Sequence, residues 1–131
     1  MKTVDDDNPI WLFRGVPKES REFEDVNATG EVEPPRPDRT GESYRRRHSM
    51  NGDNETGYTS WTDDYSIACD VAQEISSSPN LSGEYVVFRV RFNSLDPDKI
   101  FEGRADEAEY LIEGTVENVE IADGHEDEVD E

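Results

Sequence analysis

The chain has one cysteine, Cys69, so no intrachain disulfide can form and a cysteine-based zinc site is not expected. Lying beside Ala68, it reads as a small buried filler. Long apolar runs are missing as well. Nothing approaches the roughly 20 residues that a bilayer-spanning helix needs, and the start, MKTVDDDNPIW, has no apolar core of a signal peptide. The sequence therefore predicts no membrane partner, and a cytoplasmic protein or one delivered into a target cell without a classical signal peptide. Lysine is scarce: Lys2, Lys18 and Lys99 are the whole supply. With 33 acidic residues against 13 lysines and arginines, the net charge is −20, which argues against direct nucleic-acid binding. The acidity reads first as adaptation to high salt, and second as an acidic partner surface such as a nucleic-acid mimic.

At 131 residues, with 32% hydrophobic content, the chain suits one modest domain. Residues 1–9 read as a flexible N-terminus, 10–121 as the folded domain and 122–131 as an acidic disordered tail. From Ile10 to Arg14 the residues alternate as in a short strand, which Gly15 and Pro17 end. Lys18 to Val26 has room for one or two helical turns. Asn27 to Met50, with Pro34, Pro35, Pro37, Gly30 and Gly41, shows no period and predicts a long loop. The loop carries Arg45, Arg46, Arg47 and His48, a basic island that is either a solvated face or a local anion contact.

Tyr58 to Trp61 has strand composition, and Thr62 followed by Asp63 and Asp64 resembles a helix start with Thr62 as cap. Ile67, Val71 and Ile75 recur every four residues, with Ala68 and Ala72 beside them; this stripe predicts a helix packed on a sheet and ending at Ser76 to Pro79. In Tyr85 to Phe92 the residues Val86, Phe88, Val90 and Phe92 share one face while Val87, Arg89 and Arg91 share the other. Ala108 to Ile112 and Thr115 to Ile121 predict two further strands around Gly114. The order argues an α+β domain rather than a βαβ nucleotide fold.

Three pieces stand out in this order. "WLFRG" ends a strand on Arg14, "TSWT" sets Thr59 and Ser60 at a strand-to-helix junction, and "EAEYLI" begins a late strand with Glu107 and Glu109. In an extended segment, residues two apart face the same way, so the two glutamates would project together. The ordered set resembles the arginine-serine-glutamate (R-S-E) class of mono-ADP-ribosyltransferases, the family of bacterial ADP-ribosylating toxins, over about Trp11 to Ile121. The serine-threonine-serine triplet usual in that family is Thr59-Ser60-Trp61 here, and the domain is compact for it.

The resemblance implies an ADP-ribosyltransferase-like fold of two small packed sheets with flanking helices around an NAD cleft. It implies NAD as substrate, held by Arg14, Gly15, Ser60 and Thr59, with Arg47 and His48 as candidate phosphate contacts and no metal. Glu109 would bond the ribose 2′-hydroxyl and stabilise the developing sugar cation; Glu107 would take a proton from an incoming guanidine, which suggests an arginine acceptor. A toxin or effector would have a protein acceptor and a neutralising immunity protein or antitoxin as partners, and a monomer is expected. Two other readings stay open: a non-catalytic acidic binding protein, such as an inhibitor or immunity partner, and an NAD glycohydrolase on the same fold.

Overall fold

Alternation decides where the first strand lies. Trp11–Pro17 forms β1, sending Leu12 and Val16 into one core and Phe13 into another on the opposite face. The computed structural model describes residues 9–51, 55–77, 79, 81–103 and 108–122. The expected flexible terminus and acidic tail lie outside the described residues, apart from Pro9 and Ala122, and so does Glu107. After β1 come helices α1 (Arg21–Thr29) and α2 (Glu42–Asn51), strand β2 (Tyr58–Thr62), helix α3 (Tyr65–Ser76), and strands β3 (Tyr85–Arg91), β4 (Ile100–Glu102), β5 (Glu109–Glu113) and β6 (Glu120–Ala122). This is an α+β arrangement, and no described helix is long and apolar enough to cross a membrane.

Where two sheets were expected, the described strands form one six-stranded antiparallel sheet in the order β4-β5-β2-β1-β3-β6. It is strongest away from its middle. β1 and β3 share seven register pairs, Trp11 with Arg91 through Pro17 with Tyr85, and β2 and β5 share five. β1 and β2 meet only at Phe13 and Thr62. Beyond that pair the ladder stops, and the sheet divides into two three-stranded halves.

The principal core gathers Leu12, Val16, Trp61, Phe88, Val90 and Ile112 from both halves. Trp61 faces it, as β2's alternation requires. On the other face Phe13, Val87 and Ala122 meet Ala68 of α3, while Arg89 and Arg91 stack over the Trp11 ring at 4.1 and 4.8 Å. The alternation expected for β3 therefore holds over Tyr85–Arg91, and Phe92, although it opens a short 3₁₀ turn, packs against the same core as Val86, Phe88 and Val90.

Several local expectations are corrected. The long loop contains α2, which the hydrophobic period cannot reveal because polar contacts hold it. The Arg45 guanidinium lies 4.0 Å from the Phe101 ring centre and donates to the Tyr58 hydroxyl at 3.0 Å, and His48 bonds Thr56. In α3 the cap is Asp64, accepting from the Ser66 and Ile67 amides at 2.9 and 3.3 Å, whereas Thr62 remains in β2 and its hydroxyl accepts from the Asp64 amide. The hydrogen bond from the Ser66 hydroxyl holds the Asp64 carboxyl below its ordinary range against the opposing effect of burial, with the Ile67 and Ser66 amides adding to the lowering.

The packed stripe of α3 is also rotated by one residue. Ala68, Ala72 and Ser76 are buried, and Val71 and Ile75 are 41% and 44% exposed. Gly15 explains the choice. A Cβ there would overlap the Ala68 carbonyl oxygen and stand 2.5 Å from the Ala72 Cβ, so the helix lies on bare backbone and only small residues fit between. The chain after Gly114 differs too: Val116 forms an isolated bridge with Val32, and β6 begins only at Glu120.

Candidate active site

The seam between the halves is where the chemistry-bearing residues meet. Arg14 is one residue past the last β1–β2 pair, and its side chain reaches across: Nη1 donates to the Ser60 carbonyl at 2.9 Å. The diverging strands are thus tied by a side chain where the ladder no longer joins them. On β2, the Ser60 hydroxyl donates to Glu109 Oε2 at 2.5 Å. Glu109 stands opposite Thr62 in the β2–β5 register and Ser60 opposite Leu111, so Ser60 and Glu109 are diagonal neighbours on one face. A serine two residues from Thr62 is long enough to reach the carboxylate and too short to displace it.

Glu109 is only 9% exposed, although β5 is next to an outer strand. Gly103 makes this possible. Its amide donates to the Glu109 carbonyl at 2.8 Å, and a Cβ on it would overlap the carboxylate and lie 2.8 Å from Glu109 Cδ. Ala108, just before the strand, has φ 48°, in the left-handed region that costs a non-glycine residue about 1 kcal/mol. The extended geometry that would set Glu107 and Glu109 on one face is therefore interrupted between them, and Glu107 itself lies outside the described residues.

Arg14, Gly15, Ser60 and Glu109 line a cleft of about 960 Å³. Its lining includes apolar side chains, among them Val71 and Ile75 of α3, and the acidic side chains Glu22, Asp25, Glu31 and Glu33. A smaller recess of about 80 Å³ shares Arg14, Gly15, Ser60, Val71 and Glu109 and adds Phe13, Trp61 and Ile67. The exposed stripe of α3 thus faces space that a ligand's apolar ring could fill.

Other expected site residues are distributed unevenly. Gly15 lines the cleft with its backbone and serves the helix packing described above. Thr59 also lines the cleft although it alternates away from Ser60, and its buried hydroxyl accepts from the Trp61 indole at 2.8 Å. His48 is buried and lines the cleft, with Nδ1 2.7 Å from the Thr56 hydroxyl; Arg47, exposed on α2, stacks 5.2 Å from Tyr44 and does not line it. Two residues beyond the expected set belong to the site. Glu22 engages Arg14 through both carboxylate oxygens, to Nε at 2.7 Å and Nη2 at 2.9 Å, and Gly103 packs on Glu109. Glu22 lies in the first turn of a helix capped by Ser20, where an acidic residue needs no partner to be expected, so its sequence carries no signal of this contact. For Gly103, the only signal is a glycine just after a short strand.

No protein-family model and no curated protein matches the chain. Among solved structures, the fold is similar to that of a chain named EcPltA, with a TM-score of 0.55 over 90% of this chain and 84% of that one. Identity is 14%, so the likeness is one of fold.

Proposed function

We propose that this chain is a mono-ADP-ribosyltransferase of the arginine-serine-glutamate class, moving ADP-ribose from NAD to a protein acceptor, with arginine the acceptor residue, and releasing nicotinamide. The ADP-ribosyltransferase-like fold, with the two halves of the sheet flanking an NAD cleft, is part of the proposal, as is action as a toxin or effector. One observation carries it: Arg14, Ser60 and Glu109, 46 and 49 residues apart in successive steps, are joined through two hydrogen bonds and line one cleft.

The chemistry suits these groups. Breaking the bond between nicotinamide and ribose leaves positive charge on the sugar, and a carboxylate fixed beside it lowers the barrier. Glu109 is held by Ser60 and largely shielded from water, so its charge is both aimed and poorly screened. Arg14 supplies the planar donor fork suited to a pyrophosphate. The apolar side chains of Val71 and Ile75 offer a surface for a flat ring.

The test is incubation of the full chain with labelled NAD and an arginine-containing acceptor, with free nicotinamide and labelled acceptor read separately. Both should accumulate. Glu107→Gln should abolish transfer to arginine while leaving slow release of nicotinamide to water, since Glu107 is assigned to the acceptor and Glu109 to the sugar. Equal loss of both products would overturn that division of labour. Nicotinamide without labelled acceptor in the wild type would instead favour an NAD glycohydrolase. The acidic binding protein is the second reading, favoured by the Glu22 carboxylate that already holds Arg14; it predicts no NAD turnover at all.

A further inference from the structure

We propose that Glu22 is a built-in competitor for the anion fork of Arg14, and that it sets how tightly the cleft takes a pyrophosphate-bearing substrate. The inference rests on reading this cleft as the site of such a substrate. Three N–H groups of the guanidinium are engaged: Nη1 on the Ser60 carbonyl, and Nε and Nη2 on the two oxygens of Glu22. The last two form the planar pair that matches two oxygens of a phosphate as well as two of a carboxylate. A substrate phosphate and Glu22 therefore want the same edge of the same side chain.

The pair is built to exchange rather than to lock. Its side chains are 22% and 27% exposed, so water reaches both partners and can take up the Glu22 carboxylate when it leaves. The Ser60 contact uses a different nitrogen, so Arg14 keeps its position across the seam when Glu22 turns away. Glu22 sits on α1, in its first turn, where the unpaired amides at the helix start favour the carboxylate even when it leaves Arg14. Asp25, on the same helix and lining the same cleft, provides a comparison: it adds equal charge to the lining, while the Arg14 fork is held by Glu22.

Calorimetric titration of the full-length protein with inorganic pyrophosphate, and separately with NAD, tests this in wild type, Glu22→Gln and Asp25→Asn. Glu22→Gln should bind pyrophosphate about tenfold more tightly, the scale of one charge-assisted hydrogen bond, and Asp25→Asn no more than about twofold. Adding Arg14→Lys to Glu22→Gln should erase the gain. Equal gains from both neutralisations would reduce the effect to general charge and overturn the proposal, as would weaker or absent pyrophosphate binding in Glu22→Gln with an unchanged melting transition. If the pyrophosphate pattern holds and no variant binds NAD, the NAD reading fails and the role of Glu22 stands.

Discussion

Between β1 and β3 seven residue pairs stand in register and between β2 and β5 five, whereas β1 and β2 meet at Phe13 and Thr62 alone. The ladders away from the seam carry apolar side chains into shared cores. The seam carries Arg14, Ser60 and Glu109, tied to one another by hydrogen bonds and bordered by a cleft. The difference teaches where each kind of residue can be placed. A long ladder satisfies backbone groups and leaves side chains free to pack, while a strand pair that ends early opens space and leaves polar side chains to bridge it.

That contrast can be broken first from the ladder side. Phe88, fully buried on β3 and opposite Arg14, should cost about 3–5 kcal/mol when changed to alanine, read by denaturant melting. Gly15→Ala should come next. The new methyl group has to push α3 off β1, at about 1–3 kcal/mol, and the helix shift should also widen the cleft wall made by Val71. A stability unchanged by Gly15→Ala would mean that α3 is not seated as described.

The smallest effect concerns the cap of α3. Asp64→Ala should lower stability by about 1 kcal/mol near neutral pH. Because the folded carboxyl is held below its ordinary value, its contribution is complete above the unfolded pKa of about 3.9 and is lost as pH falls through the lower folded value. Wild type and variant should therefore converge in acid. A gap that persists at the lowest pH would assign the effect to something other than the charged cap.

How much of this was legible depended on whether a residue's partner was local. β3 could be read because its alternation is a property of adjacent residues. The seam could not, since no local pattern says that β1 and β2 share a single pair. α3 was found by its larger apolar residues and yet packs by its alanines, because its seat is a glycine 53 residues earlier than Ala68. α2 lacked an apolar stripe altogether and is held by Arg45 and His48. At the site, Arg14, Ser60 and Glu109 were marked by residue type and order, whereas Glu22 and Gly103 act through contacts across 8 and 6 positions that composition does not announce.

The claim that the seam is where NAD is cleaved is tested most directly by nicotinamide release from NAD, comparing the full chain with Glu109→Gln. The substitution keeps size and removes the charge that Ser60 holds at the cleft. The account predicts measurable release by the wild type and a rate about 10²- to 10³-fold lower in the variant, with its melting transition intact. Equal release from both proteins, or none from the wild type, would contradict it.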